Sequence, residues 1–389
     1  MVLADENPIR PVWPDYPRTG WGLYFDPLYG YTPLPPVIRQ ALDLETFQRL
    51  RRIRQLSTIE LAFPGATHNR FEHSVGVYNL ATTAFDALVN RRETENLQDW
   101  PHLLEAHKIA LQLASLFHDI GHGPHGHVFE MYCERNPDFR PWHHENVTRD
   151  LIVSGKARYR DIPLFLQRLH ENFRARGVAG HEFLTPDNIA AIALGQPPPA
   201  NKEYLFLSQI VHSECDVDRM DYLRRDALHI GFGAGGIDVW EIIHNFTLVW
   251  DPGTGTFNLR LLSSAAEALE SLLAVRDLMY RRVYYNETHR AAQELLIRAV
   301  HDISKTFDRE ELCLLTDDEL FEVLESSEYR TAFTKEVIQT IRARRMYHSI
   351  LSWFSVKWRV AVSGKLLNSA AARREFSRHR GLSFDEVFA

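Results

Sequence analysis

A mostly α-helical fold with small β-hairpins and a C-terminal helical extension is predicted by three features of this 389-residue sequence. Apolar residues recur at three- and four-residue steps over most of the chain beyond Val37. Gly and Pro punctuation suited to hairpins is confined to two short stretches. A composition of 45% hydrophobic and 24% charged residues supplies a large core.

Residues 1–36 are rich in proline and aromatics, and Leu23–Pro36 (LYFDPLYGYTPLPP) has the punctuation of an extended segment or hairpin, so this stretch reads as an N-terminal arm. Helical spacing begins with Val37, Ala41, Leu44, Phe47, Leu50 and Ile53, and a similar stripe runs through Val75, Leu80, Ala84 and Leu88. Ala106–Ile120 reads as a buried helix ending at Gly121, because Gly-His-Gly-Pro-His-Gly-His cannot continue a regular helix. Further helices are predicted over Glu145–Val153, Asp161–Arg174, Lys202–Arg225 and Ser263–Ser304, with a hairpin marked by Asp-Pro-Gly-Thr-Gly inside Phe246–Leu262. Two more fill Asp317–Tyr347. Arg373, Arg374, Arg378 and Arg380 in the tail read as a solvated face or a subunit contact. The expected organisation is an arm (1–36), a core (37–245), and a hairpin with a helical region packed on that core (246–389).

The net charge of −7 argues against a chain that coats nucleic acid by bulk electrostatics. No apolar run is long enough to cross a bilayer and the first residues lack the order of a signal peptide, so a cytoplasmic location is expected. Cys133, Cys215 and Cys313 are too few for a disulfide framework and lack paired metal-ligand spacing.

Histidine is the outlier: eight of 19 fall between His102 and His144. His73 lies on the apolar side of its helix, since Val77, Ala81 and Ala84 follow at three- and four-residue steps. His118 and Asp119 close the apolar helix in LFHDIG, where an unpaired carboxylate would cost several kcal/mol. Neighbouring helical residues diverge by about 100°, so the two side chains can converge on an ion between them but cannot easily bond each other. One acid among Asp216, Asp218, Asp221 and Asp226 can complete the set. Mixed imidazole and carboxylate donors suit iron, manganese, cobalt or zinc better than calcium, and the lack of thiolates argues against a closed structural zinc site. Such a metal activates water and polarises a phosphoryl oxygen. The glycine loop beside the dyad offers His122, His125 and His127 as acids or bases, and His143-His144-Glu145 adds a further pair. Arg70, Arg219, Arg276, Arg281 and Arg282 are candidates for polyphosphate charge. In Met279–Asn286 (MYRRVYYN), tyrosines and arginines interleave, a mixture that stacks a base and clamps phosphates, or else forms a packed helix with a charged face.

FPGATHNRFEHSVGV, LFHDIGHGPHGH, HHE and DVDRMDYLRRD, in this order, resemble the deoxynucleoside triphosphate triphosphohydrolases of the HD superfamily, from about Phe25 to Asn286. The resemblance implies an HD-domain helical fold with metal ligands His73, His118, Asp119 and Asp218. It implies that His122 and His127 face the α-phosphate with His144 nearby, and that Arg70 and Arg219 contact phosphates. Sugar selection falls on Gln55, Tyr222 and Asp226, with Tyr284 near the base and Tyr280 where a mammalian member of the family has a histidine. Asp43 and Arg51 match a guanine-reading pair, whereas Gly22 and Phe25 replace polar residues of that site. The implied reaction releases a deoxynucleoside and inorganic triphosphate, with magnesium a further candidate alongside the triphosphate. A homo-oligomer, dimer or tetramer, is also implied. Rival readings keep the metal but take another nucleotide or a DNA end, or make the chain a nucleotide- or nucleic-acid-binding sensor.

Overall fold

The computed structural model describes residues 20–136, 143–156, 158–232, 236–304, 307–326 and 331–345; the four tail arginines lie outside these described residues. The N-terminal punctuation becomes a hairpin, β1 (Gly22–Asp26) against β2 (Gly30–Leu34), antiparallel with Gly22 opposite Leu34. Asp26 closes its turn by accepting the Leu28 and Tyr29 amides at 2.7 and 3.2 Å. The chain then enters α1 (Pro36–Leu42), which carries proline in its first turn, and the short α2 (Glu45–Gln48).

Asn69 starts α3 (Arg70–Thr94) by accepting the Glu72 amide. The predicted stripe of Val75, Leu80, Ala84 and Leu88 is fully buried. Every residue from Ala106 to Phe117 in α4 (Glu105–Phe117) is buried, because α3 covers one side and the helix of residues Pro186–Ala193 another. Its regular part ends three residues before the expected Ile120: His118–Ile120 form a turn in which the His122 amide bonds the Asp119 carbonyl, and Thr148 Oγ1 takes the Gly121 amide. Phe117 meets Phe47 at 6.2 Å between ring centres, and Phe47 meets Phe71 at 5.1 Å. Burying each ring contributes about 1.5–3 kcal/mol, which fixes the end of α4 against the start of α3.

There follow α5 (His127–Arg135), α6 (His144–Val153), α7 (Asp161–Ala175), α8 (Pro186–Ala193), α9 (Leu205–Val211) and α10 (Val217–Ile230). The continuous helix expected over Lys202–Arg225 is broken, because Asp216 turns its carboxylate onto the Ser213 and Arg219 amides and starts α10 afresh. Next come α11 (Val239–His244) and the predicted hairpin, β3 (Phe246–Asp251) with β4 (Thr256–Leu261). The single helix expected over Ser263–Ser304 is also divided. α12 (Ala266–Met279) passes into a π-helical turn at Tyr280–Tyr284, and Asn286 caps α13 (Glu287–Ile303). α14 (Arg309–Leu312), α15 (Asp317–Glu325) and α16 (Ala332–Arg342) complete the described residues. The protein is mostly α-helical, with two small antiparallel hairpins among the described residues.

Candidate active site

α3 directs His73 inward, the turn after α4 brings His118 and Asp119, and the first turn of α10 adds Asp218. His73 Nε2 lies 3.0 Å from Asp218 Oδ1 and 3.8 Å from Asp119 Oδ2; His118 Nε2 lies 3.5 Å from Asp119 Oδ1 and 3.7 Å from Asp218 Oδ1. Adjacent donors held about 2.1 Å from one cation stand roughly 3.0–3.5 Å apart, close to these separations. His118 Nδ1 donates to the Ser115 carbonyl at 2.8 Å, which leaves the lone pair on Nε2, a buried atom without a hydrogen-bond partner. An orphaned imidazole lone pair facing two carboxylates fits a divalent transition metal.

Electrostatics support the same view. Burial works against charge on His73, but hydrogen bonds to Asp218 and Asp221 outweigh it and raise its pKa to about 10. His118 is raised too, by Asp119 and Asp218 against the effect of burial. Asp119 is held well below the usual carboxylate range, because His118, His122 and Arg70 overcome its burial. Protons thus gather where a cation would sit.

Among the four acids weighed from sequence, Asp218 alone approaches both imidazole Nε2 atoms. Asp216 is spent on its helix cap, and Asp221 bonds the far nitrogen of His73, Nδ1, at 2.8 Å. Asp226 holds His68 at 2.7 Å and the Tyr284 hydroxyl at 2.6 Å.

The four candidate ligands and His122, His127 and His144 share one cavity of about 570 Å³ with Gln55, Arg70, Arg219, Tyr222, Asp226, Arg276, Tyr280 and Tyr284, a size that suits a nucleotide. On its floor, His122 Nε2 stands 3.3 Å from Asp119 Oδ1, and the His122 and His144 rings stack with centres 4.0 Å apart. Glu130 joins His144 Nδ1 (2.8 Å) to His127 Nδ1 (3.0 Å). Burial, Arg70 and His144 push His122 well below its ordinary value, whereas Glu130 raises His144 despite burial. The two stacked imidazoles are thus biased in opposite directions, His122 toward the neutral form and His144 toward the protonated one, the kind of division that acid and base chemistry uses. His125 belongs to the loop's own framework: its amide donates to Asp317 and its ring meets Ser57 and Phe321.

The far wall holds Tyr222, Tyr280 and Tyr284, with the Arg276 guanidinium 4.8 Å from the Tyr280 ring centre. Gln55 contributes a buried Oε1 without a partner. Two arginine expectations change. Arg70 is buried and bonded to Asp119, so its nearest anion is part of the protein, while Arg219 leans on Glu214. Arg281 and Arg282 are exposed outside the cavity, with Arg281 paired to Asp277.

Residues 70–226 match the HD domain family and residues 237–388 match the HD associated region. This is an HD-domain protein. Its HD domain, which runs from Arg70 to Asp226, contains the four clustered side chains. The chain is 29% identical over 287 residues to the uncharacterised YwfO of Bacillus subtilis, covering 74% of this chain and 57% of that protein. It is 28% identical over 358 residues to the deoxynucleoside triphosphate triphosphohydrolase SAMHD1 of Danio rerio, covering 84% and 55%. The SAMHD1 homolog of Dictyostelium discoideum is 26% identical over 348 residues, covering 86% and 61%. The chain thus spans little more than half the length of these relatives. Among the described residues, no helix is long and apolar enough to cross a membrane.

Sequence reasoning missed Glu130 and the partners that hold the HD-domain ligands from behind. His127-x-x-Glu130, an imidazole and a carboxylate one helical turn apart, carried a usable signal. Arg225 and Asp26 carried none, since 199 positions separate them. The cavity wall from α13, which includes His289, Arg290 and Gln293, also went unnoticed.

Proposed function

We propose that this HD-domain protein hydrolyses deoxynucleoside triphosphates to deoxynucleoside and inorganic triphosphate. What carries the reading is the convergence of His73, His118, Asp119 and Asp218, with the orphaned His118 Nε2, on the floor of a cavity whose other wall is aromatic. These four residues would hold iron, manganese, cobalt or zinc; when bound, such an ion makes water nucleophilic at neutral pH and withdraws charge from a phosphoryl oxygen.

The chain's own groups perform the rest. Neutral His122, beside Asp119, accepts a proton from the attacking water as its oxygen bonds to the α-phosphorus. The bond to the sugar 5′ oxygen breaks, and that oxygen takes a proton from the His144, Glu130 and His127 group, where Glu130 keeps His144 charged. Arg219 and Arg276 face the polyphosphate, Tyr280 and Tyr284 flank the base, and Gln55, Tyr222 and Asp226 close around the sugar. A pocket with no partner for a 2′ hydroxyl rejects the ribonucleotide. Magnesium with the triphosphate and assembly into a homo-oligomer belong to the same reading, for which the SAMHD1 relatives offer support by similarity.

The test is product analysis. Protein loaded with manganese, cobalt or iron and given each dNTP should release deoxynucleoside and intact triphosphate; orthophosphate as the sole phosphate product would refute attack at the α-phosphorus.

A second reading, hydrolysis of a smaller phosphoester such as a nucleoside monophosphate or a DNA end, is favoured by one observation. Arg70 is committed to Asp119 and Arg219 leans on Glu214, which leaves less free positive charge for a triphosphate. Arg276→Ala with Arg219→Ala separates the two: dNTP turnover should fall at least tenfold on the first reading and stay unchanged on the second.

A further inference from the structure

Behind His73 runs a buried chain of charge that ends in the turn of the β1–β2 hairpin. His73 Nδ1 donates to Asp221 Oδ2 at 2.8 Å. Arg225 grips the same carboxylate with two arms, Nε to Oδ2 and Nη2 to Oδ1, both at 2.9 Å. Its Nη2 also reaches Asp26 Oδ2 at 2.8 Å, and Asp26 Oδ1 is held by the amides of Leu28 and Tyr29 in the β1–β2 turn. Asp26, Asp221 and Arg225 are at most 1% exposed, so water screens none of these contacts. The same hairpin presents Leu23, Phe25 and Tyr31 to solvent, each more than 60% exposed.

Two buried carboxylates share one guanidinium, and the surplus negative charge falls on the side where Asp221 meets the imidazole. That charge holds the proton on Nδ1 and the lone pair on Nε2, the form a metal-ligating histidine requires. Arg225 Nη2 donates to both acids, so Asp26 fixes the very nitrogen that holds Asp221 Oδ1. Gly76 of α3 makes room, since a Cβ there would stand 1.9 Å from Asp221 Oδ1 and 2.4 Å from Arg225 Nη2.

We propose that Asp26 and Arg225 are positioning residues for His73, and that the β1–β2 hairpin thereby sets how tightly the site binds its divalent cation. The inference rests on the proposed metal site but concerns residues that never touch the ion. Displacing the hairpin moves Asp26, frees one end of Arg225, and lets Asp221 and the His73 ring lose their common orientation.

Asp26→Asn keeps the shape and removes the charge; Arg225→Lys keeps the charge and cannot bridge both acids. Manganese affinity, measured by chelator competition on folded protein, should fall about tenfold in either variant. In the metal-free protein, imidazole NMR should show one hydrogen-bonded His73 Nδ1–H signal in the wild type and a shifted or exchange-broadened one in the variants. A role in stability alone would lower the unfolding midpoint and leave both readouts unmoved. Unchanged manganese affinity and an unchanged His73 signal in either folded variant would overturn the proposal. Should the wild type bind no manganese, the proposed function fails, while the NMR readout still decides the relay.

Discussion

Replacing Gly76 by Ala sets two effects of opposite sign against each other. Gly76 lies within the long helix α3, where alanine is favoured over glycine by about 1 kcal/mol. Local propensity therefore predicts a more stable protein. In the folded structure, however, the added methyl would sit 1.9 Å from Asp221 Oδ1, 2.4 Å from Arg225 Nη2 and 2.7 Å from Asp221 Cγ. Ordinary contact needs about 3.4 Å or more, so α3 and α10 must part by roughly 1.5 Å or the ion pair must open. Overpacking of this kind costs about 1–3 kcal/mol, and opening a buried pair that leaves Arg225 uncompensated costs about 3–5 kcal/mol. Set against the propensity gain, the net loss is about 0–2 kcal/mol if the helices part and about 2–4 kcal/mol if the pair opens. Urea unfolding followed by far-UV circular dichroism should show the midpoint falling with little change in slope. Manganese binding should weaken in the same variant because His73 loses its support. A Gly76→Ala protein more stable than the parent would refute the reasoning, since it would mean that the contact between α3 and α10 is looser than the geometry requires.

Two other outcomes follow from the charge environments. Glu130→Gln removes the group that raises His144, so its proton is lost at lower pH; the alkaline limb of the kcat profile should move toward acid, and an unmoved limb would exclude His144 as the proton donor. His107, packed between Phe183 and Tyr204, has its pKa lowered to about 4 by burial, with Glu182 opposing. The unfolded chain takes up this proton near pH 6.5 and the folded protein only near 4, so stability is intact above 6.5 and declines by about 3 kcal/mol as pH falls to 4. His107→Phe should flatten that decline in urea midpoints measured across the range, and an unaltered slope would assign the acid sensitivity elsewhere.

The candidate ligands were legible because burial of charge leaves a mark in one dimension. His118 and Asp119 end an apolar helix, His73 interrupts an apolar stripe, and neither pattern is stable without compensation. The choice among Asp216, Asp218, Asp221 and Asp226 was not legible from spacing alone. All four lie on or just before one helix, and what separates them is the cap at Ser213, the imidazole behind Asp221 and the His68 beside Asp226. Likewise the sequence pattern did not reveal the breaks at Asp216 and at Tyr280–Tyr284, because periodicity persists on both sides of each interruption.

Helical character, the two hairpins and the donor types are consequences of local periodicity, turn chemistry and the cost of burying charge, and the chain alone determines these. Which donors meet, which arginine is committed to a protein carboxylate, and how Asp26 reaches His73 are decided only when helices distant in sequence pack together. The bond from His73 to Asp221, across 148 positions, depends on the separation of α3 and α10 to within an ångström, and no residue pattern along the chain encodes that distance.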